Sequence, residues 1–111
     1  MALTKFVQKG DTVDYTPTAD VAVGDVVVLG ELVGVAHRNI PANTSGGLAV
    51  TGVFDFPKAT GTSTAITVGS KVYWDATNKV ATTTATSNKL IGKTVLAAAD
   101  ADAAVRVRLS Q

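Results

Sequence analysis

The chain has no cysteine and, among its 111 residues, one histidine, one methionine, one tryptophan and three prolines. Each scarcity removes a class of chemistry. Without thiols there is no disulfide framework, no thiolate nucleophile and no cysteine-based zinc site, which suits a protein made and used without an oxidising compartment. His37, in "GVAHRNIP" beside Arg38, has no second ligand at a metal-binding spacing, and no "DxDxDG" calcium loop occurs. As the base of a Ser-His-Asp device it would need a nucleophile in a setting such as "GxSxG", which is missing. A surface histidine at a strand end is the simpler reading. Asp100 and Asp102 of "ADADA" read equally simply, as a solvated loop. The expectation is a protein that is not an enzyme, with no catalytic, cofactor-binding or metal-binding residues and no cofactor.

Long hydrophobic runs are missing too. No stretch approaches the ~18 apolar residues of a membrane span, and the start "MALTKFVQKGDTVDY" has neither the basic opening nor the apolar centre of a signal peptide. A soluble protein, made in the cytoplasm and without a membrane partner, is expected. Neither charge sign dominates: 10 Lys and Arg against 9 Asp and Glu give a net charge of +1. The basic residues are scattered from Lys5 to Arg108. Arg106 and Arg108, alternate residues pointing the same way off one strand, come nearest to a basic face. A solvated or salt-bridged strand face accounts for them, so nucleic acid is not expected as a partner.

One fragment invites a wrong reading. Gly92-Lys93-Thr94 matches the end of the phosphate-cradling pattern GxxxxGK[ST], but Ser87 stands where the first glycine should be, and "TVLAA" continues as a strand. A phosphate loop needs inward-turned amides and a helix behind them.

What remains is rich in Val, Ala and Thr, and the branched residues are stiff at χ1 and favour pleated strands. At this length one domain is expected. Residues 1–20 read as an extended arm in which Phe6-Val7 and Val13 to Tyr15 could form short edge strands, and Pro17 cannot serve a central ladder. Residues 21–111 read as a single β domain. "VAVGDVVVLGELVGVA" from Val21 predicts a strand over Val26 to Leu29, a turn at Gly30-Glu31 and a returning strand over Leu32 to Ala36. A second copy, "VGSKVYWDATNKVATT" from Val68, aligns at a constant spacing of 45 residues, Gly24 with Gly69, Leu29 with Trp74 and Val35 with Val80. Its turn is "DATN", where Asp75 can bond the backbone and Asn78 tolerates positive φ.

Further strands are expected over Leu48 to Phe56, Thr64 to Val68, Leu90 to Ala97 and Ala104 to Leu109. No segment carries a helical period. The class is therefore all-β, a compact sandwich or barrel of roughly eight short strands, with a jelly roll as one form it could take. Alternation assigns Val27, Leu29, Val35, Val72, Trp74, Val80, Val105, Val107 and Leu109 to the core.

The ordered set "YTP" at Tyr15, "VAVGDVVVLGELVGVA" at Val21, "GGLAVTGVFDFPKA" at Gly46, "VGSKVYWDATNKVATT" at Val68 and "KLIGKTVLAAADADAAVRVRL" at Lys89 resembles, over nearly the whole chain, a family of small tailed-phage and prophage proteins regarded as capsid cement, or decoration, proteins. Some members carry a RecA/RadA-type recombinase label, which conflicts with the incomplete phosphate loop and the short, helix-poor chain. The resemblance implies a structural virion protein on the capsid outer surface. Its partners would be the major capsid protein and itself, as a homotrimer first and a homodimer second. Lys5, Phe6, Val7, Tyr15 and Pro17 of the arm are then the candidate capsid contacts, by strand addition. The alternative is a small β binding module of a phage tail or of carbohydrate-binding type. Such a module needs exposed coplanar aromatics, and Tyr73 and Trp74 fall on opposite strand faces.

Overall fold

The computed structural model describes residues 3–111 and contains, among them, nine strands and no helix. Met1 and Ala2, the first residues of the expected arm, lie outside the described residues. The strands are β1 (Thr12–Tyr15), β2 (Val26–Leu29), β3 (Leu32–Ala36), β4 (Gly46–Ala49), β5 (Gly52–Pro57), β6 (Lys71–Asp75), β7 (Val80–Thr82), β8 (Lys89–Thr94) and β9 (Ala104–Leu109). They form two antiparallel sheets, one of four strands in the order β1-β4-β3-β2 and one of five in the order β5-β9-β8-β6-β7.

The five-stranded sheet curls until its edges meet. Ala81 of edge strand β7 makes a parallel bridge to Lys58, just past edge strand β5. A sharp bend in a barrel wall calls for glycine, and Gly92 supplies it: a Cβ there would collide with the carbonyl oxygen of Arg108 on β9. Inside lie Phe56, Val72, Trp74, Ala81, Ile91, Val105, Val107 and Leu109, and Phe56 packs on Trp74 with ring centroids 6.1 Å apart. The four-stranded sheet contributes Val33 and Val35 of β3 to this core. On its other face Ala36, Ile40 and Leu48 form a smaller cluster, against which Val13, Tyr15, Val21, Val27 and Leu29 pack half-buried. Val80 is half-buried as well. The side chain of Gln111 joins the two sheets by accepting from the Val33 amide at 2.6 Å and donating to its carbonyl at 2.8 Å.

The two similar stretches begin alike and end differently. Gly24 and Gly69 both adopt positive φ, at 88° and 79°, and each leads into a strand two residues later. In the first, Leu29 and Leu32 close a two-residue turn with Gly30 at φ 63°, the left-handed first position that a II′ hairpin requires. In the second, Asp75 pairs with Val80 across a longer turn. Asp75 accepts from the amides of Thr77 and Asn78 at 3.0 and 3.1 Å and from the Asn78 side chain at 2.9 Å, which holds its carboxyl below the ordinary range. Lys79, at φ 56°, takes the left-handed position expected of Asn78. The constant spacing therefore holds for the first strand of each hairpin and is lost in the return.

Three other strand expectations change. The strand read over Leu48 to Phe56 is two strands in different sheets, broken at Val50-Thr51 where Gly52 takes φ 113°. Asp11 fixes this corner: its carbonyl accepts from the Val50 amide at 3.0 Å and its carboxylate from the Thr51 hydroxyl at 3.1 Å. Thr64 to Val68 is not a strand: Ile66 makes an isolated bridge to Ala98, and Asp100 captures the amides of Thr64 and Ala65 at 3.0 and 2.7 Å. The strand starting near Leu90 ends at Thr94 rather than Ala97.

Candidate functional site

Residues 3–11 form no strand, and their side chains lie in solvent, with Leu3 at 89% and Phe6 and Val7 each at 81% exposure. These three large apolar side chains are held in water without a core to join. Lys5 and Lys9 are interleaved with them, both exposed. The candidate contact residues thus fall into two groups. Lys5, Phe6 and Val7 stand clear of the fold. Tyr15 and Pro17 are built into it: Tyr15 pairs with Gly46 and packs half-buried against the small cluster, while Pro17 is buried and its carbonyl accepts from the Asn43 amide at 2.7 Å. Because β1 is an edge strand joined only to β4, the arm is rooted firmly at Thr12 and open beyond it.

Asp100, Asp102 and Thr94, all weighed for chemistry, are tied up in local structure. Asp100 holds the two amides named above, and Asp102 accepts from the Ala99 amide at 2.8 Å. Gly92-Lys93-Thr94 lies within β8, where the Thr94 hydroxyl donates to the Thr67 carbonyl at 2.6 Å and accepts from the Ser70 amide at 3.1 Å. His37 is exposed just past β3. Trp74 is buried and Tyr73 half-buried, on opposite faces of β6.

Two features had no counterpart in the sequence reading. Lys58 is buried, and its ammonium donates to the Ala59 carbonyl at 2.7 Å, the Asp102 carbonyl at 3.0 Å and the Thr64 hydroxyl at 3.2 Å, so one cation pins three segments at the barrel seam. The second is a row of cations on the barrel's outer wall. Lys71 lies opposite Lys93, and Lys93 opposite Arg108, all exposed. Arg106, in the next row, is neutralised: its guanidinium donates to Asp55 at 2.9 and 3.3 Å, and these bonds, with its charge, hold the Asp55 carboxyl below its ordinary value. No sequence signal could have found the row, since its members are far apart along the chain and meet only through strand order.

The described residues thus form an all-β body with an exposed stretch, 3–11, that carries Leu3, Phe6 and Val7. Residues 7–109 match the family described as phage cement protein. The chain belongs to the phage cement protein family. Membership covers both sheets and the inner part of the arm, and it makes this a structural phage protein associated with the capsid. No curated protein and no solved structure matches the chain.

Proposed function

We propose that this cement protein binds the outer surface of a tailed-phage capsid, reinforces the shell, and does so without catalysis or a cofactor. Family membership over nearly the whole chain carries the reading. It is supported by the exposed apolar arm, since a decoration protein needs a rigid body and a segment that can grip a neighbour rather than a reacting group. In this reading residues 1–20 act as the gripping arm and 21–111 as the body. Lys5, Phe6 and Val7 meet the shell, with Tyr15 and Pro17 anchoring the root. The partners are the major capsid protein and further copies of the chain, a trimer first and a dimer second. Closed oligomers let several weak contacts act together, so that the shell is cross-linked more tightly than one contact allows. The protein is made in the host cytoplasm and ends in the virion.

The test is to mix purified full-length chain with undecorated capsids and sediment them. Co-sedimentation at saturable stoichiometry, with an increase in the capsids' heat resistance, is the expected result, and the particle mass per site gives the oligomer. Capsids that neither bind the chain nor gain resistance would overturn the reading.

A further inference from the structure

We propose that the row Lys71, Lys93, Arg108 is a docking site for a cluster of carboxylates on the outer surface of the capsid shell protein. This inference rests on the cement reading and adds a second contact to the arm. The three residues lie on adjacent strands β6, β8 and β9 in direct cross-strand register, and all point outward. Neighbouring strands are about 4.8 Å apart, and like charges placed directly opposite each other destabilise a sheet. A free-standing domain gains nothing from this arrangement.

Nothing on the domain compensates it. Among the described residues the ion pairs are Lys89 with Glu31 and Arg106 with Asp55, so the row has none. Asp55, in the adjacent row, is committed to Arg106 by two hydrogen bonds. Three exposed cations without carboxylates make a site complementary to a patch of opposite sign, and such complementarity sets orientation and encounter rate.

The position of the row agrees with that partner. It continues to Val53 on β5, which lies opposite Arg108 and is 53% exposed. Val53 is two residues from Thr51, whose hydroxyl bonds Asp11 at the root of the arm. Arm and row therefore open from the same corner of the fold, and Lys5 and Lys9 extend the positive charge along the arm. A nucleic acid is the less fitting occupant. Strand-binding surfaces stack bases on exposed aromatics, whereas the one aromatic on this face of β6, Tyr73, is half-buried opposite Leu90, and the chain's net charge is only +1.

The experiment compares the full chain with two charge-matched double variants, Lys93→Gln/Arg108→Gln in the row and Arg38→Gln/Lys79→Gln away from it. Affinity for undecorated capsids is measured between low and high NaCl. The row variant should bind about tenfold more weakly at low salt and lose most of its salt dependence, while the control stays within about twofold of wild type. The row variant's Tm should equal or exceed wild type, because repulsion is relieved, which separates lost docking from lost folding. Unchanged capsid affinity in the row variant would overturn the docking site while leaving the cement reading intact. Wild-type chain that fails to bind capsids at all overturns both. A duplex DNA probe that binds the row as tightly as capsids do would reassign the site to nucleic acid and overturn the carboxylate partner.

Discussion

The two sheets are made of the same few residue types, yet they bury them to very different depths. The five-stranded sheet closes on itself and encloses Phe56, Val72, Trp74, Ile91, Val105, Val107 and Leu109, four of which are at most 1% exposed. The four-stranded sheet stays open. It lends Val33 and Val35 to the barrel and keeps on its far face only Ala36, Ile40 and Leu48, ringed by half-buried neighbours. Closure abolishes edges, and an open sheet leaves two, here β1 and β2. The barrel is accordingly the rigid body. The open sheet is the side from which the arm departs and onto which another chain can add.

The contrast predicts unequal responses to the same kind of damage. Trp74→Ala should destabilise the protein by about 3–5 kcal/mol, because a large side chain packed at a tilt against Phe56 leaves a cavity that a closed barrel cannot collapse. Leu48→Ala in the smaller cluster should come near the bottom of the aliphatic range, about 2 kcal/mol, since its half-buried neighbours can relax into the space. Denaturant titrations of both variants check this, and equal losses would erase the distinction between closed and open cores.

Glycine substitutions sharpen the same comparison. At Gly92 an added Cβ meets rigid backbone of β9, whereas at Gly34 of β3 it meets the Leu48 Cβ at 3.0 Å and the Ala49 carbonyl at 3.3 Å. Gly92→Ala should therefore cost about 1–3 kcal/mol or more, as overpacking does, and Gly34→Ala less. A thermal melt of each, read against wild type, gives the order. If Gly34→Ala proves the more damaging, the open sheet is the tighter of the two.

How far the sequence foretold this architecture follows the same divide. Local chemistry was legible: Gly30 in a two-residue turn placed β2 and β3, and the run "AVRVRL" placed β9, because an alternating strand or a II′ turn is specified by adjacent residues. Crossings between sheets were not. Val50-Thr51 has no proline or Asn-Gly to announce a break; Gly52, at φ 113°, is the local sign, and Asp11, far away in sequence, holds the corner. The same holds for Thr64 to Val68, whose amides Asp100 takes before a ladder can. Of the arm expected over residues 1–20, residues 3–11 are exposed and carry no edge strand at Phe6-Val7, whereas Thr12–Tyr15 join the four-stranded sheet and Pro17 is buried. The cationic row was hidden, being entirely a product of strand order.

A smaller effect is expected from acid. Asp55 is lowered by its bonds to Arg106, and Asp75 by the Asn78 amide and side chain, from an ordinary value of 3.8. With folded values below the unfolded one, the native state holds fewer protons in the window between them. The stability these groups provide is present above about pH 4 and is lost as pH falls through the folded values. Both are at the barrel surface and screened by solvent, so Tm should fall only modestly between about pH 5 and pH 2.5. Asp75→Asn combined with Asp55→Asn should lower Tm at neutral pH and flatten that fall. A steep acid transition that persists in the double variant would assign acid lability to other carboxylates.

The smallest effect on stability should come from the arm, where the expected effect on capsid binding is largest. Residues 3–9 contribute no strand, and the one side-chain hydrogen bond from this stretch to the fold, Gln8 to the Thr12 carbonyl at 3.1 Å, is exposed, so deleting residues 2–9 removes almost nothing that folding relies on. The Asp11 corner and β1 remain in place to close the sheet. Thermal melts of the truncated and full chains should therefore nearly coincide. Capsid occupancy should drop sharply, because a segment that orders on binding contributes affinity only in the complex, and its loss multiplies across the copies of a closed oligomer. Truncation that unfolds the domain would make the arm part of the body. Truncated protein that still decorates capsids normally would move the grip to the barrel wall, where the Lys93→Gln/Arg108→Gln variant would then abolish binding alone.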